Sequence, residues 1–140
     1  MPDWLELLPH RPPMRLVDSV VAVEPGVQAS TRRPTHASDW FFDGHFPGEP
    51  VVPAIVLVEL LAQTGGLAIG SAAPAGEPRA LRVAALGGFK FPGAAVAGDV
   101  LDVQARVAGK MGGLYKIEGE VTVDGRVVGA GSLTLAEVRR

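Results

Sequence analysis

At 140 residues the chain has the size of one domain, against a usual spread of roughly 100–200 residues per domain, and it can bury a core of its own. Apolar residues make up 47% and charged residues 20%, and 13 Lys plus Arg stand against 15 Asp plus Glu for a net charge of −2. That balance excludes a disordered polyelectrolyte and argues against a nucleic-acid partner, which needs concentrated positive charge. The absence of Cys removes thiol catalysis, disulfides and Cys-ligated zinc.

The opening segment, Met1–Leu8, carries Asp3 and Glu6 and no basic start, unlike a secretory signal. Met14–Glu24 is rich in Val and Leu and reads as a strand; Pro25-Gly26 is a turn pair, and Val27–Thr35 returns as a second strand. Asp39–Pro53 combines Pro47, Pro50 and Pro53 with Trp40, Phe41, Phe42 and Phe46. It reads as an ordered loop, because aromatics pack while Pro fixes φ.

From Ala54 the pattern changes. Residues 54–70 hold one charge and almost no alternation, and Pro53 suits the first turn of a helix, where a missing N–H has no partner to lose. The resulting helix, roughly 25 Å long at 1.5 Å per residue, is apolar on every side and must be buried on most of them. Val51–Gly70 is the longest apolar stretch, but Glu59 and Gln63 sit in its middle and each is costly in hydrocarbon. A cytoplasmic domain without membrane association is expected.

Ala72–Pro78 reads as a loop, and the remainder as strands. Arg79–Phe91 is the first of these. In Asp99–Val107, Leu101, Val103, Ala105 and Val107 alternate with Asp102, Gln104 and Arg106, the signature of a half-buried antiparallel strand. Gly112-Gly113 marks a turn; Tyr115, Ile117, Val121 and Val123 then oppose Lys116, Glu118, Glu120 and Thr122; Asp124-Gly125 marks a tight hairpin, and Arg126–Val138 closes the chain's β half. The order predicts an α+β fold in one domain spanning residues 1–140, an antiparallel sheet of five to seven strands around one helix. One chain of this size covers little more than one side of such a helix, so a two-fold partner is expected.

The chemistry-bearing residues sit in the loop and the helix. His45 lies in Gly44-His45-Phe46-Pro47-Gly48-Glu49-Pro50-Val51-Val52-Pro53, and imidazole is the side chain best placed to exchange a proton near neutral pH. Glu59 is the only ionisable group in the helix; burial disfavours the charged form of a carboxyl, so Glu59 is expected to stay protonated and to act as an acid. Gln63, one turn on, shares its face and can orient it. From residue types alone, a structural His and a satisfied buried Glu remain open alternatives. His10 and His36 read as structural or exposed, Arg32-Arg33 as a solvated pair, and Gly65-Gly66 as a site of close helix packing. There is no Walker-type loop or dinucleotide fingerprint, and without Cys, three scattered His argue against a metal centre.

The string His45–Pro53, followed by Glu59 and Leu61-Ala62-Gln63, resembles the active-site segment of the 3-hydroxyacyl-ACP dehydratases of type II fatty acid synthesis, the FabZ type. Leu7-Leu8-Pro9-His10-Arg11-Pro12-Pro13-Met14-Arg15-Leu16-Val17-Asp18, Phe89-Lys90-Phe91 with Gly98-Asp99, and the hairpin at Val123-Asp124-Gly125 extend the resemblance over nearly the whole chain. It implies the hot-dog fold, a curved antiparallel sheet wrapped around one helix, and a homodimer whose sheets pair edge to edge; trimers of dimers also occur in the family.

The resemblance further implies an active site at the dimer interface that pairs His45 of one protomer with Glu59 of the other. The implied reaction is reversible loss of water from a (3R)-3-hydroxyacyl thioester. His45 takes the C2 proton, Glu59 protonates the departing hydroxyl, and the Ala54 N–H at the helix start receives the thioester carbonyl. Phe46 and Ile55 would contact substrate, and the apolar helix face would line an acyl tunnel. No cofactor is implied beyond the phosphopantetheine of an acyl carrier protein, or CoA, that carries the substrate.

The chain departs from the family's usual pattern at Ala54, where Gly is usual, at Arg15 and Pro12-Pro13, and at the neutral Pro92-Gly93-Ala94-Ala95, where basic residues often help dock the carrier. These departures fit a specialised relative, serving polyketide or aryl-polyene synthesis, as well as a housekeeping enzyme. A hot-dog thioesterase and a non-catalytic acyl-thioester binding protein are the alternatives.

Overall fold

The computed structural model describes residues 3–73 and 80–138. Among these the elements run β1 (Ser19–Glu24), β2 (Gln28–Pro34), α1 (Ala54–Gly70), β3 (Leu81–Lys90), β4 (Val100–Met111), β5 (Leu114–Val123) and β6 (Arg126–Glu137), with 3-10 turns at Trp4–Leu7 and Trp40–Phe42. The strands form one six-stranded sheet in the order β1-β2-β4-β5-β6-β3, antiparallel throughout. The helix lies against β1, β2, β4, β5 and β6. This is the arrangement the resemblance implies. The loop expected over Ala72–Pro78 falls, from residue 74 on, outside the described residues, as does Arg79.

The sheet's inner face follows the sequence alternation. Leu101, Val103 and Ala105 of β4, Tyr115, Ile117, Val121 and Val123 of β5, and Val128, Leu133 and Leu135 of β6 are buried. Each fully buried Leu, Ile or Val contributes about 1.5–3 kcal/mol. The Asp124-Gly125 turn adopts positive φ at both residues (49° and 79°), which matches the twist of the strands it joins.

The helix spans the residues its composition predicts, with Pro53 just outside as N-cap and its carbonyl accepting from the N–H of Val56 at 3.0 Å. Glycine sets how closely helix and sheet approach. A Cβ on Gly65 would lie 2.9 Å from Ile117 of β5, and one on Gly119 would lie 2.7 Å from Leu61 of α1. Gly66 has no such neighbour and faces Leu8 and Leu81 at 3.9 and 4.0 Å. The buried hydroxyls of Thr31 and Thr64 bond each other at 2.7 Å, and Thr64 donates to the Leu60 carbonyl at 2.8 Å.

The first strand is shorter than expected. Met14–Glu24 reads as one strand, but β1 begins at Ser19. Met14–Val17 instead crosses the helix, where Gln63 takes its backbone bonds: Oε1 accepts the N–H groups of Leu16 and Val17 at 2.9 and 3.3 Å, and Nε2 donates to the Met14 carbonyl at 2.7 Å. An amide side chain has thus replaced a strand as the partner of this segment.

At the other end of the sheet, among the described residues β3 pairs with β6 alone and leaves its second edge free. Val83 and Leu86 stand opposite the buried Leu135 and Leu133 on that pair, yet remain 38% and 59% exposed. The sheet therefore extends past the cover its own helix supplies. No helix among the described residues is long and apolar enough to cross a membrane.

Candidate active site

His45 is placed by a tight knot of backbone bonds. Its N–H donates to the Phe42 carbonyl at 3.0 Å, its carbonyl accepts the Val51 N–H at 3.0 Å, and between them Phe46 and Glu49 exchange a reciprocal pair at 3.1 and 3.0 Å. Gly44 and Gly48 hold φ of 75° and 83°, a region open to glycine without steric cost. The imidazole stacks on Phe46 with centroids 4.2 Å apart. Its Nδ1 lies 3.0 Å from the Val51 carbonyl oxygen. A carbonyl only accepts, so Nδ1 carries the hydrogen and Nε2 keeps a free lone pair. Nε2 is thereby the ring nitrogen left able to accept a proton.

The same groove, lined also by Trp40, Pro53, Ala54 and Ile55, contains the start of α1. The N–H groups of Ala54 and Ile55 point out of the helix end, where intrahelical geometry offers them no acceptor. They form a positive pole beside the imidazole, suited to developing negative charge. Ile55 is 76% exposed and Phe46 is largely exposed, so neither is yet part of an enclosed pocket.

Glu59 occupies the second turn of α1 and points into a different cavity, of about 230 Å³, with His10, Gln63, Leu81, Arg82 and Val83 on its walls. Gln63 Nε2 donates to Glu59 Oε1 at 3.1 Å, the orienting contact expected from their spacing. His10 Nε2 lies 3.3 Å from the same oxygen. His10, expected to be structural or exposed, thus meets Glu59, and nothing in the local sequence ties residue 10 to residue 59. The Glu59 side chain keeps 28% of its surface exposed. The burial expected to hold it protonated is therefore incomplete in one chain.

His45 and Glu59 line cavities with no wall residue in common, so a single chain does not bring them together. Arg32-Arg33, expected to be a solvated pair, divides. Arg32 is exposed and pairs with Asp102 at 2.8 Å, but Arg33 turns inward. It bonds Asp39 at 2.6 Å with both side chains about 15% exposed, donates to the Leu16 carbonyl at 2.9 Å and lies over the Phe41 ring. The period of β2 carried the signal, since Arg33 falls on the face of buried Ala29 and Thr31. By holding Asp39, Arg33 fixes the segment that leads to His45. His36 is exposed, as expected. Among the described residues no group of three His, Cys, Asp or Glu is placed to hold a metal ion.

Comparison with known proteins bears on this geometry. The FabA-like domain model matches residues 8–132. The 3-hydroxyacyl-[acyl-carrier-protein] dehydratase FabZ of Anaeromyxobacter sp. (strain Fw109-5) is 39% identical over 87% of this chain and 79% of its own length. That of Herpetosiphon aurantiacus is 36% identical over 97% of this chain and 96% of its own. Among solved structures, the dehydratase heterocomplex ApeI:P from Xenorhabdus doucetiae superposes with a TM-score of 0.82 at 19% identity, covering 100% of this chain and 93% of that one; at that identity it supports the hot-dog fold alone. With both the domain match and the sequence identities running over most of its length, the chain belongs to the FabZ family of 3-hydroxyacyl-[acyl-carrier-protein] dehydratases.

Proposed function

We propose that the protein catalyses the reversible dehydration of (3R)-3-hydroxyacyl thioesters to trans-2-enoyl thioesters, at a site made by two protomers. The observation that carries this reading is the His45 groove, where an imidazole with a free Nε2 stands beside an uncapped helix N-terminus. A base and an oxyanion-stabilising pole in one groove are what removal of a weakly acidic C2 proton requires.

The thioester carbonyl accepts the Ala54 N–H, and His45 Nε2 takes the C2 proton. The electron pair of the C2–H bond becomes the C2–C3 double bond as the C3–O bond breaks. The departing oxygen takes the proton of Glu59 from the partner and leaves as water. The two proton transfers and the C3–O cleavage involve no net oxidation or reduction, and no cofactor enters beyond the phosphopantetheine or CoA that carries the acyl group.

The second protomer supplies what one chain lacks. Its docking at the free edge of β3 would cover Val83 and Leu86, and Leu81, Arg82 and Val83 of this strand also wall the Glu59 cavity. Closing that edge would complete the burial of Glu59. The acyl carrier protein is the proposed substrate donor. The loop Pro92–Ala95, neutral in sequence, receives a guanidinium from the β5–β6 hairpin, since Arg126 Nη1 donates to the Ala94 carbonyl at 3.1 Å. A cytoplasmic setting follows from this partnership.

The test is hydration of a short trans-2-enoyl thioester on CoA and on carrier protein. Turnover is expected, with His45→Ala and Glu59→Gln each lowering kcat by about 10²–10⁴, the usual share of one general acid or base. Mixing the two inactive variants and letting subunits exchange should restore roughly a quarter of wild-type sites if each site uses two chains. No turnover on either substrate, or full activity in both variants, overturns the reading; release of free thiol without hydration would replace it with the thioesterase.

A further inference from the structure

We propose that His10 is a positioning residue for Glu59. Its Nε2–H holds carboxyl oxygen Oε1, so that Oε2 alone carries the transferable proton. The inference rests on the dehydratase reading above and assigns a role to a residue outside its His–Glu pair.

The Gln63 amide has one possible orientation. Its Oε1 must be the oxygen, because it accepts the N–H groups of Leu16 and Val17. Its Nε2 must then donate, to the Met14 carbonyl and to Glu59 Oε1. Glu59 Oε1 is therefore already an acceptor when His10 Nε2 approaches it to 3.3 Å.

The other ring nitrogen decides where the His10 hydrogen lies. Nδ1 is sealed from solvent within its own chain and has no hydrogen-bond partner among the described residues, and no second protomer can reach an atom already enclosed. A hydrogen on Nε2 fills the gap to Oε1 and leaves Nδ1 bare. Placing the carboxyl hydrogen on Oε1 instead would make Nε2 the acceptor and drive the ring hydrogen onto Nδ1, where nothing receives it. Buried N–H groups without an acceptor are rare and costly.

The loop that delivers the imidazole is braced from both sides. Arg11 Nη1 donates to the carbonyls of Leu8 and His10 at 2.8 and 2.9 Å, and Gln63 ties Met14 to Val17 beyond it. When the Oε2–H bond breaks and water leaves C3, the carboxylate's new charge meets the Gln63 N–H already bonded to Oε1 and the His10 nitrogen 3.3 Å from it. Hydrogen bonds to an ionised acceptor are roughly twice as strong as neutral ones, so the clamp favours the proton transfer without touching substrate.

The experiment compares His10→Ala with His10→Gln, whose side-chain N–H reaches about as far as Nε2. His10→Ala should lower kcat by about 10–100-fold, somewhat less than loss of a donor that touches the reacting oxygen, with KM changed by no more than about threefold; His10→Gln should recover most of that loss. An unchanged kcat in His10→Ala, or an equal loss in both variants, overturns the proposal. A nitrogen-15 spectrum of the intact protein provides a readout independent of turnover: His10 should carry its hydrogen on Nε2, and a hydrogen on Nδ1 overturns the proposal even if the variants fail to fold. Glu59→Gln measured alongside separates the two levels. If it keeps full activity the dehydratase reading has failed, whereas if it is inactive while His10→Ala is not, only the role of His10 has.

Discussion

The loop before α1 and the second turn of α1 hold their side chains in opposite ways. Around His45 the chain uses its own backbone: residues 42–51 close on themselves, and the imidazole is oriented by a carbonyl six residues away. Around Glu59 it uses side chains gathered from far apart in sequence, and the amide that orients the carboxyl also anchors Met14–Val17 to the helix. The imidazole is therefore held by a local loop, while the carboxyl is held by the same atoms that hold the fold. The comparison breaks if substitutions on the two sides have the same consequence for stability.

Gln63→Leu should have the largest effect. It leaves the buried N–H groups of Leu16 and Val17 and the partly buried Met14 carbonyl without their partner. At about 1–3 kcal/mol for each orphaned group, a loss of about 3–5 kcal/mol is expected, and a Tm lower by about 10 °C. His45→Ala should shift Tm by only about 2–4 °C, since it removes one hydrogen bond from a half-buried loop worth about 1 kcal/mol. Calorimetry of both variants checks the contrast, and equal shifts would mean that the two sides are held alike.

Leu86→Asp sharpens the same comparison at the sheet edge. In one chain Leu86 is exposed and lines neither the His45 groove nor the Glu59 cavity, so a change there should cost the protomer no more than about 0.5 kcal/mol. If the free edge of β3 is where the second copy docks, a buried unpaired carboxylate at that edge should dissociate the dimer and abolish turnover with it. Light scattering across a concentration series, with far-UV circular dichroism as the control for folding, reads both quantities. An intact, active dimer would move the interface elsewhere.

The parts of this design visible in the sequence are those encoded by neighbours. Pro53 and the unbroken apolar run set the limits of α1, and the alternation of Leu101, Val103 and Ala105 set the inner face of β4. The positive-φ pair Asp124-Gly125 set the last hairpin. The family resemblance supplied the order and the His45 and Glu59 motif. What local pattern could not supply is what depends on residues distant along the chain. Met14–Val17 has strand composition because it is extended and inward-facing, but its partner is an amide 46–49 residues away. His10 meets Glu59 only because that amide pulls its segment across the helix. Arg33 has the charge of a solvated residue, but the period of β2 turns it to the side of buried Ala29 and Thr31. The exposure left on Glu59 lies in a cavity walled by β3, whose free edge no single stretch of sequence reveals.

The smallest expected effect concerns the loop after β3. Arg126 lies on it, with Nη1 against the Ala94 carbonyl and only 2.8 Å from where a Cβ on Gly93 would be, so the glycine leaves room for the guanidinium. If this charge helps to seat an acidic carrier, it acts at a solvated rim, where charges change encounter more than they change the bound state. Arg126→Ala should then raise KM for a carrier-bound enoyl substrate by about 2–5-fold and flatten its salt dependence. A truncated pantetheine thioester has no carrier surface to meet the loop, so its KM should not move. Steady-state kinetics on the two substrates at low and high salt separates the outcomes. An equal rise on both would place Arg126 in the support of the loop, because a guanidinium that merely braces the Ala94 carbonyl has no means of telling a carrier protein from its detached arm.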